Sequence, residues 1–117
     1  MSGSVSYHSG KAAEDRVAAC YAGSGHVIEK QRWRGRGGEI DIVARRPDGL
    51  VFIEVKSSST HARAAASLRP RQMQRIQCAA QEYCGQEPQG LLTAMQIDVA
   101  LVDGAGHIEI LENAGML

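Results

Sequence analysis

Asp41 is followed, after twelve intervening residues, by Glu54-Val55-Lys56, so two carboxylates and an ammonium fall within a short stretch of chain. Carboxylates brought together repel one another unless a cation sits among them. A divalent ion does this well, and Mg²⁺ in particular takes one or two carboxylates and keeps water and phosphate oxygens in its other positions. Such an ion lowers the pKa of a bound water and stabilises charge on a phosphodiester under attack. Lys56, a compact cation, can orient that water or stabilise the developing charge. The chemistry to expect is hydrolysis of a phosphodiester with Mg²⁺ or Mn²⁺ held at Asp41 and Glu54. Either charged pair alone would mean little, since strands often carry solvated ion pairs worth at most about 1 kcal/mol. The full set at this spacing is the signal.

The set needs a frame that holds it on one face. Glu39 to Ala44 alternates, with Glu39, Asp41 and Val43 on one side and Ile40, Ile42 and Ala44 on the other. Leu50 to Lys56 alternates too, with Val51, Ile53 and Val55 opposite Phe52, Glu54 and Lys56. Pro47-Asp48-Gly49 between them is a turn signal, so the two runs predict a β-hairpin. A turn centred near Asp48 sets Asp41 opposite the Glu54–Lys56 stretch, and the apolar reverse face (Ile40, Ile42, Val51, Ile53, Val55) must be buried.

Around the hairpin, Ala13, Val17, Cys20 and Tyr21 recur at helical spacing, with Ser9 as a candidate N-cap and Gly23-Ser24-Gly25 as the stop. His26 to Trp33 reads as a strand, and Arg34 to Gly38 as a flexible basic turn. Ser57 to Arg69 could be a loop, a lid or a frayed helix. Pro70 suits the first position of a helix that runs to about Cys84, with Gly85 beyond it and Met73, Ile76, Ala80 and Tyr83 inward. Ile97 to Val102 and His107 to Leu111 read as strands around an Asp-Gly-Ala-Gly turn. The order α-β-β-β-α-β-β is that of one α/β domain over residues 1–117, with flexible ends at 1–8 and 113–117.

Composition agrees with such a domain. The 117 residues are 44% hydrophobic and 22% charged, with 4% aromatic, so the core must be mostly Val, Ile, Leu and Ala. The start has no basic cluster followed by an apolar run, and nothing approaches the roughly 18–20 apolar residues of a membrane span, which points to a cytoplasmic protein with no membrane partner. Cys20, Cys78 and Cys84 are odd in number and contain no C-x-x-C pair, so they read as reduced thiols. The net charge is zero but uneven: Lys30 to Arg75 carries eleven Lys or Arg against four acids, and Ile76 to Leu117 has six acids with no Lys or Arg. Either the basic stretch meets an anionic partner or the two halves neutralise each other across the surface.

Other candidates carry two readings each. Glu39 is an outer metal ligand or a solvated acid at a strand end. Glu14 lies beside Val17 and Ala18 on the helix and can reach inward to a functional place, or is an acid favoured by the dipole of a first helical turn. Arg32, Trp33, Arg34 and Arg36 interleave an aromatic with basic residues as nucleic-acid surfaces do, or form a charge-protected edge strand with Trp33 on the core. Arg63, Arg69, Arg71 and Arg75 would extend the same surface. Asp98, in an apolar strand, reads as a cap on a neighbouring backbone group.

Asp41…Glu54-Val55-Lys56 matches the Asp…Glu-x-Lys signature of the PD-(D/E)XK nuclease superfamily. More closely, the chain resembles the YraN family of bacterial proteins, akin to Holliday-junction resolvases. Gly10-x-x-x-Glu14, Gly38-Glu39-Ile40-Asp41-Ile42-Val43-Ala44, Val51-Phe52-Ile53-Glu54-Val55-Lys56 and Ile97-Asp98-Val99 carry the likeness. It implies a restriction-endonuclease-like core with a mixed central sheet flanked by helices. It also implies a nuclease site of Asp41, Glu54 and Lys56, with Glu14 as an additional acid, acting on DNA that could be branched or damaged. Analogy with resolvases, which act on two strands, adds a homodimer. Two departures, Arg71-Gln72 in place of a lysine and Gln96 in place of an arginine, remove positive charge and keep a second reading open: a binding module of the same fold without activity.

Overall fold

The computed structural model describes residues 2–116, with side chains from residue 10 to residue 115. The flexible ends expected at 1–8 and 113–117 reach Met1 and Leu117, which lie outside the described residues. The elements run α1 (Ser2–Gly23), β1 (Val27–Arg34), β2 (Glu39–Arg46), β3 (Gly49–Ser57), α2 (His61–Ala66), α3 (Pro70–Cys84), β4 (Met95–Val102) and β5 (Ile108–Leu111), with short 3₁₀ turns at Gly90–Leu92 and Ala114–Met116. The fold is mixed α/β, as the alternating patterns predict. Among the described residues no helix is long and apolar enough to cross a membrane.

The five strands form one sheet in the order β1-β2-β3-β4-β5. β3 and β4 are parallel and the other neighbours antiparallel, which makes the sheet mixed. A parallel pair needs a crossover, and α2 and α3 provide it. The β2–β3 register pairs Ile42 with Ile53 and Arg46 with Gly49, as a turn centred near Asp48 requires. Gly49 has φ 154°, and a Cβ there would lie 2.5 Å from the Ala94 carbonyl oxygen. The tight turn therefore packs against the start of β4, where Leu50 N donates to that oxygen (3.0 Å).

Both sheet faces are covered by helices. α1 buries Ala13, Val17, Ala18 and Tyr21 against Ile42, Ala44, Val51, Ile53, Ala100 and Val102. α3 buries Ile76, Ala79, Ala80, Tyr83 and Cys84 against Ile40, Val43, Leu50, Phe52 and Ile97. α2, capped by Thr60 through its side chain, sets Ala64 against Val99 and Leu101. Thus the open segment Ser57–Arg69 contains a short helix.

Three details depart from the sequence pattern. α1 includes Ser9, which therefore does not cap it. Cys20 is exposed, and Ala18 completes the buried stripe in its place. Ile40, expected on the same face as Ile42, packs under α3 instead. Alternation breaks at Asp41, between a β2–β3 ladder that ends at Ile42 and a β1 in which Arg32 adopts φ 55°.

Asp98 takes the structural place its apolar strand suggests. Its carboxylate accepts from Tyr21 Oη (2.7 Å), Gln96 Nε2 (2.8 Å) and the backbone N of Asn113 (3.0 Å), which ties α1 and the C-terminal segment to β4. Phe52 is fully buried between the sheet and α3 and meets Tyr83 edge-on at 5.6 Å. Phe52→Ala should destabilise the fold by about 3–5 kcal/mol in urea unfolding, because it opens a cavity under the helix that covers the site. A loss below about 1 kcal/mol would mean that α3 settles onto the sheet without it.

Candidate active site

Two strands and one helix build the site. Asp41 comes from the distorted part of β2, Glu54 and Lys56 from β3, and the start of α3 lies over Asp41 and Glu54. At Asp41 the side chain takes over from the ladder: its Oδ2 accepts from the backbone N of Val55 (2.8 Å). A donor left open by the departing strand is thereby satisfied, and the carboxylate is anchored beside Glu54. Glu54 is buried, and its Oε2 takes an ion pair from Lys56 Nζ (3.2 Å) and a hydrogen bond from Gln72 Nε2 (2.7 Å).

The electrostatics follow from burial. Desolvation first, and the Asp41 carboxylate next, push the Glu54 carboxyl up from its ordinary 4.5 to about 8, with Lys56 pulling the other way. Asp41 is raised as well, chiefly by burial, against the lowering effect of the Val55 N–H and of Glu54. Glu14, on α1, is also buried and raised, by desolvation and then by Asp41, while Arg32 opposes the shift. Arg32 Nε lies 3.3 Å from Glu14 Oε1. Glu39 is exposed and paired with Arg34 Nη2 at 3.6 Å.

A cavity of about 370 Å³ joins these groups, lined by Glu39, Asp41 and Glu54 together with Arg69, Arg71, Gln72 and Arg75 from the start of α3. Close approach of the β1–β2 turn to α3 shapes one wall: a Cβ on Gly38 would lie 3.1 Å from the Arg75 carbonyl oxygen. A larger cavity of about 700 Å³ opens at the other end of the strands, around the β2–β3 turn. Its Arg45 is already taken by Glu29 and Glu87, whereas the smaller cavity holds the carboxylate pair. The chemistry belongs to the smaller one.

Asp41, Glu54, Glu39, Arg71 and Arg75 thus surround one space, Lys56 meets it through its contact with Glu54, and Glu14, on α1, lies near enough to Asp41 to feel its charge. Arg36 is exposed on the β1–β2 turn. Trp33 is half-buried, edge-on to Tyr83 at 5.2 Å, so its ring serves the core. Gln96 lies away from the site, pairing with Val51 and accepting from Arg46 (2.8 Å). Gln72, which the sequence marks only as a missing charge, is a direct neighbour of Glu54. Pro70 was its signal, since a helix beginning there projects its first-turn side chains over the strand ends.

Because the Glu54 carboxyl is raised in the folded protein, its neutral form contributes stability that is complete below about pH 4.5 and lost as pH climbs towards 8. Melting curves in EDTA from about pH 5 to about pH 9 should therefore fall more steeply for wild type than for Glu54→Gln, which stays neutral throughout. Parallel curves would show that Glu54 ionises in the fold as it does in water.

Among the described residues no three or more His, Cys, Asp or Glu side chains converge as a ready-made metal cage. The site instead offers two adjacent carboxylates, the number Mg²⁺ accepts while keeping water. Comparison with known proteins places the chain. The uncharacterised protein family UPF0102 matches it over residues 13–102. A UPF0102 protein of Cereibacter sphaeroides is 55% identical over 114 residues, covering 97% of each chain. One of Ruegeria pomeroyi is 52% identical over 112 residues, 96% of this chain and 91% of its own. Another, of Roseobacter denitrificans, is 52% identical over 112 residues, 96% of this chain and 87% of its own. The protein belongs to the UPF0102 (YraN) family.

Proposed function

We propose that this protein is a cytoplasmic, divalent-metal-dependent endonuclease that hydrolyses phosphodiester bonds in DNA. The observation that carries the reading is the meeting of Asp41 and Glu54, with Lys56 bonded to Glu54, on the wall of a cavity that also bears Arg69, Arg71 and Arg75. A hard cation fits the donor set, since burial and the adjacent Asp41 carboxylate raise the affinity of Glu54 for positive charge. Asp41 and Glu54 would hold Mg²⁺ or Mn²⁺, with Glu14 and Glu39 further out beside their arginines. When bound, such an ion lowers the pKa of a water and offsets charge on the phosphate.

The chain's own residues supply the rest. Lys56 keeps positive charge beside the carboxylate pair, where charge develops on an attacked phosphate. Arg69, Arg71 and Arg75 offer forked donors to the flanking phosphates, and Arg36 is available on the turn nearby. Preference for branched or damaged DNA, and a homodimer that would act on both strands, rest on analogy with resolvases. A second reading is a nucleic-acid-binding module without activity. The hydrogen bond from Gln72 favours it, because that donor already occupies an oxygen of Glu54.

Labelled linear, flapped and four-way-junction DNA, incubated with Mg²⁺ or Mn²⁺, tests the reading. Wild type should cut, and Asp41→Asn and Lys56→Ala should each be slower by about 100-fold or more. Arg71→Ala should lower the slope of log affinity against log salt by about one unit. Absence of cutting with salt-sensitive binding intact would select the inactive module, and absence of both cutting and binding would remove both readings.

A further inference from the structure

Each acid around the cavity has its own counter-group. Glu14 is held by Arg32 (3.3 Å) and Glu39 by Arg34 (3.6 Å), while Asp41 commits Oδ2 to the Val55 N–H (2.8 Å). Glu54 commits Oε2 twice, to Lys56 Nζ at 3.2 Å and to Gln72 Nε2 at 2.7 Å. Lys56 lies two residues along the same strand and shares a face with Glu54. Gln72 comes from the opposing layer. Its amide approaches from the first turn of α3, between Arg71 and Arg75, and fixes which oxygen of Glu54 faces the helix.

We propose that Gln72 is a positioning residue that turns Glu54 so that only one of its oxygens is presented beside Asp41, which makes the centre a site for a single divalent ion held by one oxygen from each acid. This rests on the metal-dependent reading above and adds to it a stoichiometry and the residue that sets it. An amide suits the task because it donates a hydrogen bond without adding charge. A glutamate at the same place would instead bring a third carboxylate to the pair, and hard-cation affinity rises with the number of charged ligands. Partners that orient a metal ligand through a hydrogen bond alter affinity by about 10- to 100-fold when removed.

Isothermal titration of Mn²⁺ into the full chain at about pH 8 decides the matter, with wild type, Gln72→Met and Gln72→Glu compared, and with metal-free melting temperatures recorded for each. Methionine keeps the volume and removes the donor. We expect one Mn²⁺ per chain in wild type, affinity weakened about 10-fold or more in Gln72→Met, and affinity raised about 10-fold or more in Gln72→Glu. A purely structural glutamine would move the metal-free melting temperature and leave the affinities alike. Wild type that binds Mn²⁺ while both variants bind within about twofold of it would overturn the role of Gln72 alone. Two ions per wild-type chain would overturn the single-ion site. Wild type that binds no Mn²⁺ would remove the metal reading together with this inference.

Discussion

The arrangement of this protein turns on two carboxylates held side by side in a place with little water. Two like charges about 4 Å apart repel by about 4 kcal/mol at an effective dielectric of about 20, and desolvation adds to that. A fold keeps such a pair by holding a proton on Glu54 and by surrounding both acids with groups that answer for them. Here the answer comes from every layer: a backbone N–H from β3, an ammonium from β3, an amide from α3 and, one step out, a guanidinium from β1 facing Glu14. The distortion of β2 belongs to the same account. By leaving the ladder at Asp41, the strand opens the Val55 N–H, and the Asp41 side chain fills that vacancy while staying anchored beside Glu54.

The helix over the site does two jobs with one periodicity. Ile76, Ala79, Ala80 and Tyr83 form its buried stripe, and it lies flat on the sheet through Phe52 and its neighbours. Arg71, Gln72 and Arg75 fall near its start, where the helix passes the ends of β2 and β3, so the residues that pack it also aim the residues that line the cavity. Charge in the sequence sorts accordingly. From the basic stretch, Arg69, Arg71 and Arg75 line the site and Arg32 and Arg34 pair with Glu14 and Glu39, whereas several acids of the C-terminal half are engaged elsewhere: Glu87 on Arg45, Asp98 inside the sheet, and Asp103 beside His61 and His107. The zero net charge therefore conceals a polar arrangement, and mutual neutralisation of the halves explains only part of it.

How much of this could be read from the chain follows from which rules are local. Strand alternation and the Pro47-Asp48-Gly49 turn fix the hairpin register, because side-chain period and turn length leave one alignment that buries the apolar face. That register brings Asp41 to Glu54. Pro70 and Gly85 bracket α3 through backbone restrictions local to those positions. The side of the sheet on which Ile40 packs was not legible, because alternation presumes an unbroken ladder and Asp41 breaks it with a contact fourteen residues away. Nor was the Gln72 contact, which spans eighteen residues and depends on where α3 crosses the strands. Ser57–Arg69 stayed ambiguous because its alanines carry helix propensity without a large apolar stripe, and Thr60 and the floor of Val99 and Leu101 decide it.

At Glu54 a proton and a metal ion would compete for one carboxylate, since each offsets the repulsion from Asp41. Lys56 stands near enough to weaken both, which keeps Glu54 from binding either one as tightly as an isolated buried acid would. Remove the lysine, and the pair would hold its proton more firmly. The same ammonium that could serve a reacting phosphate thus also tunes the acidity of the residue next to it, and its two effects come from a single distance of 3.2 Å. A site of this kind gains from having its cation on a β-strand, where the side chain two positions along must share a face with Glu54. Geometry of the pleat, more than any one contact, makes the spacing Glu-x-Lys chemically specific.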